Sequence, residues 1–233
     1  MLQQKNNPLL DLLISIVIPS IILMKFSGEE HLGTVWGLIV ALSFPLFYGL
    51  YERITQNKFN IISIIGLISV LLTGGIGLLK LDPEWLAIKE AAVPLVIGLM
   101  VLFSLYTRYP LIKTLIYNPT VIRVDDVDKA LAERGTTAEF HGLLTKATYC
   151  LSATFMFSAT VNYFLTRYIV TSPAGTEAFN EELGKLTLLS YPVIALPSMV
   201  FLVTIMFWLV RSVRRLTGLN LEQVMNITEE SSK

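Results

Sequence analysis

Cysteine occurs once in 233 residues, at Cys150, and histidine only at His31 and His141. One thiol excludes an internal disulfide and a thiolate metal cluster. Two histidines so far apart in the chain do not suggest a zinc site. Charge is scarce too: 15% of residues are Asp, Glu, Lys or Arg and they sum to zero, so no global field attracts nucleic acid. The chain has no HExxH or GxSxG segment and no acid pair at helical spacing inside an apolar run, so it lacks the usual signatures of a hydrolase or metalloprotease. No cofactor is expected. The first apolar run has only Lys5 before it and no small-residue cleavage site after it, which reads as a retained span, not a removed signal peptide.

What the chain has instead is hydrocarbon. Hydrophobic residues make up 53%, gathered in runs near the length a helix needs to cross a bilayer. The expected fold is all-α: a polytopic transmembrane helical bundle of about six spans in three hairpins, forming one integral membrane domain over residues 1–233. The spans fall roughly at 8–25, 34–51, 59–79, 83–108, 146–168 and 183–210, with a polar cytoplasmic segment at 109–145 and a tail at 211–233. Pro19, Pro45, Pro94, Pro192 and Pro197 lie inside these spans, where each removes a helical hydrogen bond. The last two predict a bent helix or an unwound turn.

Two small-residue faces stand out. Ser63, Gly66, Ser69, Thr73 and Gly77 share one side of span three at 100° per residue, and Ala147, Cys150, Thr154, Ser158 and Asn162 share one side of span five. In a bilayer such faces let helices approach closely. The costly residues are Asp11, Lys89, Glu90, Asn162 and Lys185, which form a candidate intramembrane polar network or substrate contact. Asp11 has a simpler reading as a first-turn anion on the helix dipole, and Asn162 one as an interhelical hydrogen-bonding residue. Span four is the sharpest case. Asp82 caps it and Pro83 takes its first position, which puts Lys89 and Glu90 about two turns inside. As neighbours they diverge by 100°, so each is expected to need its own partner. Within the polar segment, Asp125 or Asp126 is expected to cap a short helix through Arg134, with Gly135 as its stop. Thr136-Thr137-Ala138-Glu139 matches a capping box, and residues 170–182 read as a polar loop.

Six spans put both termini on one side, with thirteen of the eighteen Lys and Arg residues; Lys25, Lys80, Lys89, Arg167 and Lys185 are on the other. The positive-inside rule makes the termini cytoplasmic.

The order of features resembles the bacterial intracellular septation protein A family. The resemblance rests on Gly74-Gly75 late in span three, Ile88-Lys89 opening span four, Pro110-Leu111-Ile112 closing it, Asn162 late in span five and Lys185 opening span six. It covers roughly Pro8 to Arg215, and departs in a longer polar segment between spans four and five and an extended tail. It implies a non-enzymatic bacterial inner-membrane protein connected with septation, cell division and envelope synthesis. Two functions follow. One is a scaffold or interaction protein whose partners are the lipid bilayer and division or envelope-synthesis membrane proteins, with a homo-oligomer as a further option. The alternative is a small-solute or ion transporter or channel using the intramembrane charges. An enzyme is not expected, nor is a nucleic-acid partner.

Overall fold

Apolar runs of this length can satisfy their backbone amides and carbonyls only within their own helices when no water is at hand. The computed structural model describes residues 12–56, 61–107 and 122–224, and apart from an isolated bridge residue at Ile122 they form helices, turns and loops. Pro8 and Asp11, the start of span three and the basic collar from Arg108 to Lys113 lie outside the described residues.

The helices, in order, are α1 (Ile18–Lys25), α2 (Gly33–Gln56), α3 (Ile61–Leu78), α4 (Glu84–Phe103), α5 (Val124–Arg134), α6 (Thr137–Ile169), α7 (Glu177–Ser190), α8 (Leu196–Thr217) and α9 (Leu221–Val224). Among the described residues, three helical stretches are long and apolar enough to cross a membrane: Gly33–Tyr51, Glu84–Tyr106 and the run Glu177–Thr217 through α7 and α8. Leu13–Lys25 and Ile65–Leu78 are apolar but shorter. At 33 residues, α6 is about 50 Å long, but Thr, Ser, His141 and Lys146 dilute its apolar content. Large side chains such as Trp36, Leu71, Phe103 and Phe207 stand more than half exposed, as lipid-facing residues do.

Two π-helical turns interrupt the α-helices, at Leu13–Val17 and Tyr191–Ala195. Each lies just before a proline, Pro19 or Pro197, whose missing N–H cannot close the α ladder. The expected bend or unwound turn in span six is therefore a turn of wider helix. Pro45 and Pro94 stay within unbroken α-helix.

The chain divides into two compact units. The first comprises Met1–Ala92 and Thr160–Ala195, and packs α1, α2, α3, the start of α4, the end of α6 and α7. Thr176 caps α7 by accepting a hydrogen bond from the Phe179 amide at 3.2 Å. Phe179, Leu183 and Leu186 then form a buried stripe at helical spacing. They join Leu23, Leu38, Ala41, Ile76 and Leu86 in one core. The polar loop expected over residues 170–182 is thus a loop only as far as Thr176, and helix from Glu177 onward. Asp82 accepts from the Glu84 amide at 2.8 Å through Oδ1, which places the start of α4 where Asp82-Pro83 predicts it.

The second unit comprises Val93–Ala159 and Leu196–Lys233. α5 buries Val127 and Leu131 completely, one turn apart, against Leu209, Val213 and Leu216 of α8 and Val224 of α9. Phe140, Leu144, Ala147 and Leu151 of α6 belong to the same core. α5 stops at Gly135, which takes a left-handed φ of 67°, as its sequence predicts. Its start differs from expectation: Asp125 and Asp126 lie in the first turn, and Arg123 occupies the cap position without a side-chain cap. The Thr136 hydroxyl of the expected capping box donates to the Leu216 carbonyl at 3.2 Å, tying the start of α6 to the last turn of α8. Ser152 donates to the Gly98 carbonyl at 2.9 Å.

Candidate functional site

Lys89 is the centre of the polar cluster in the first unit. Its ammonium lies 2.7 Å from Glu90 Oε1, and donates to Thr73 Oγ1 at 2.8 Å and to Ser69 Oγ at 3.0 Å. An ammonium has three protons, and here three oxygens receive them. Thr73 is oriented for this, because its own hydroxyl proton goes to the Ser69 carbonyl at 3.0 Å, leaving lone pairs for Lys89. The Lys89 side chain is 9% exposed and that of Glu90 30%.

This corrects the expectation that the two neighbours cannot pair. The 100° divergence holds for the Cα–Cβ directions, but two long side chains can converge beyond them. The cluster also changes the reading of the α3 small-residue face. Ser69 and Thr73 form the cradle for Lys89, while Gly77 admits a Leu38 methyl so closely that a Cβ would collide with it. Gly66 is exposed and faces open space. The side chain of Ser63 lies outside the described residues.

The other candidates are placed elsewhere. Lys185 pairs with Glu181 at 2.7 Å, one turn away on α7, both half exposed. Asn162 is half-buried on α6. On the same helix Thr154 is buried and bonds the Cys150 carbonyl at 3.0 Å, Ser158 is half-buried and Cys150 is exposed. Of the five charged or amide candidates, Lys89 and Glu90 pair with each other and Lys185 pairs with Glu181.

Three polar constructions were not singled out in the sequence. The first is Asn180, 1% exposed. Its amide nitrogen donates to the Thr34 carbonyl at 2.8 Å and to Ser27 Oγ at 3.1 Å, joining α7 to the α1–α2 turn. A carbonyl can only accept, so the amide orientation is fixed. The second is Glu182, whose carboxylate accepts from the backbone amides of Thr171 and Ser172, both at 2.9 Å, and from their hydroxyls at 3.2 and 2.8 Å. The third is Glu84, which meets Arg167 at 3.3 Å and the Tyr163 hydroxyl at 3.4 Å. Thr176, three residues before a buried aromatic, was the available signal for a helix that would carry Asn180 and Glu182 inward.

Glu182→Ala should raise hydrogen exchange of the Thr171 and Ser172 amides about tenfold, because hydrogen bonds to a charged group are the stronger kind even when partly screened. Unchanged exchange would mean that other contacts hold the loop.

What the Lys89 cluster can do chemically is limited. Its proton donors are saturated by fixed oxygens. Among the described residues no group of three or more His, Cys, Asp or Glu could hold a metal ion. Compared with known protein families, curated proteins and solved structures, the chain matches none.

Proposed function

We propose that this is a six-span protein of the bacterial inner membrane, with both termini cytoplasmic, acting as a non-enzymatic scaffold or interaction protein in septation or envelope synthesis. The carrying observation is the closed shell of Glu90, Ser69 and Thr73 around Lys89. An ion or solute path needs charged groups whose partners can be exchanged for the passenger. A cation with all three donors spent on its own helix pair is a structural clasp. Exposed apolar side walls and the distribution of Lys and Arg support the membrane placement, and the cellular role is proposed on the resemblance of the order of features to the septation family alone.

The test combines two measurements on the full chain. A photo-crosslinking residue at Phe207, which is exposed on α8, should trap division or cell-wall-synthesis membrane proteins at native expression. Proteoliposomes of the purified protein should pass no ions or small solutes above the empty-vesicle rate. Flux that disappears in Lys89→Met would overturn the scaffold reading in favour of transport.

A further inference from the structure

The turn between α3 and α4 and the segment after α6, both in the first unit, border an open cleft of about 820 Å³, within the size range of small-molecule sites. Lys80, Asp82 and Glu84 line one wall, and Arg167, Thr171 and Pro173 the other. The second wall is the segment that Glu182 fastens through four hydrogen bonds, so it is shaped before any ligand arrives.

Lys80 is held with care. Among the described residues it alone combines a side chain with a positive φ, 53°, a conformation that costs about 1–2 kcal/mol. Its methylene stem lies along Gly175, itself at φ 84°, where a Cβ would come within 2.9 Å of Lys80 Cγ. No carboxylate among the described residues pairs with it. Arg167 is paired with Glu84, but both are half exposed at 3.3 Å, a contact weak enough to be shared with a ligand. Asp82 spends Oδ1 on the Glu84 amide and has Oδ2 left for a ligand.

The cleft thus presents two cations and two carboxylates. Trp85 and Tyr168, next in sequence to Glu84 and Arg167, are 58% and 85% exposed. Exposed amphipathic rings at the ends of apolar helices mark the level of lipid headgroups. We infer that the cleft binds the headgroup of a phosphoethanolamine lipid, with the phosphate on Lys80 and Arg167 and the primary ammonium on Asp82. The inference rests on the membrane placement proposed above. An anionic headgroup would meet both carboxylates without an ammonium to offset them. A choline headgroup would bury its charge behind methyl groups that cannot donate hydrogen bonds to Asp82.

The experiment uses the full chain in a non-ionic detergent with Trp36→Phe and Trp208→Phe, leaving Trp85 as the fluorescent reporter. Dihexanoyl phosphatidylethanolamine should give a saturable signal at an affinity about tenfold tighter than the matching phosphatidylcholine or phosphatidylglycerol. Lys80→Gln should weaken binding about tenfold. Asp82→Asn, which still caps α4, should abolish the preference over phosphatidylglycerol while leaving the fold intact. Equal affinity for the three lipids, a preference for phosphatidylglycerol or the absence of a saturable signal would overturn the proposal. So would competition by inorganic phosphate as strong as by lipid, which would assign the cleft to free phosphate. Flotation of the same protein with phosphatidylcholine vesicles separates the two ideas. Failure to float refutes the membrane placement, whereas flotation without selective binding refutes the headgroup site alone.

Discussion

Lys89→Met should lower the unfolding free energy of the purified protein by about 3 kcal/mol, the lower end for breaking a buried pair by removing one partner. Methionine keeps the length of the stem but provides no proton, so the Glu90 carboxylate loses its counter-charge at 2.7 Å. Ser69 and Thr73 lose their common donor at the same time. Glu90 keeps 30% exposure, and this access to water holds the cost at the low end. Lys89→Met combined with Glu90→Leu should recover most of the loss, because a pair replaced by apolar groups leaves no orphaned charge. Reversible unfolding in mixed detergent micelles measures both. A single variant within about 0.5 kcal/mol of the parent, the scale of an ordinary surface change, would show that water replaces the clasp at no cost.

Asn180→Asp is the more severe of two changes at the second buried site. It places a carboxylate, 1% exposed as the amide now is, against the Thr34 carbonyl that the amide nitrogen serves at 2.8 Å. Two acceptors then face each other, one of them charged, and the expected loss is about 4 kcal/mol or more. Asn180→Leu should cost about 2 kcal/mol. It removes a donor from the Thr34 carbonyl and a partner from Ser27, but also removes Oδ1, which is buried without a hydrogen bond. Thermal and denaturant unfolding should rank the variants Asp below Leu below parent. The reverse order between Asp and Leu would mean that the amide is not the donor that joins α7 to the α1–α2 turn.

Much of the fold was legible because it depends on local chemistry. Asp82-Pro83 marks the start of α4, Gly135 the end of α5, and apolar runs the helices. The π-helical turns were half legible: a proline says where the ladder breaks, but whether the chain kinks, unwinds or widens depends on what packs around it. In sequence the α3 face is one packing stripe, because periodicity reports direction and not the partner. Ser69 and Thr73 became ligands of Lys89 only because α4 returns beside α3 at the right height. Asn180 and Glu182 were hidden for a different reason. In sequence they stand in a polar stretch that looks solvated, and their inward orientation follows from the phase of a helix set by Thr176 and Phe179. Helical projection hides the pairing of Lys89 with Glu90, because it treats side chains as short spokes.

The π-helical turn at Tyr191–Ala195 has a consequence for how the chain can change length. Such a turn houses one residue more than the α ladder requires, so a residue can be lost there without breaking the helix. Deleting one position converts the turn to ordinary α-helix and leaves Leu183 and Leu186 in the core of the first unit and Leu209 and Val213 in that of the second. The same deletion in the middle of α8 would rotate every later side chain by about 100° and carry Leu209 and Val213 out of their core. Single-residue insertions and deletions in related sequences should therefore collect at this turn, and at Leu13–Val17 for the same reason, while the straight helices keep their length.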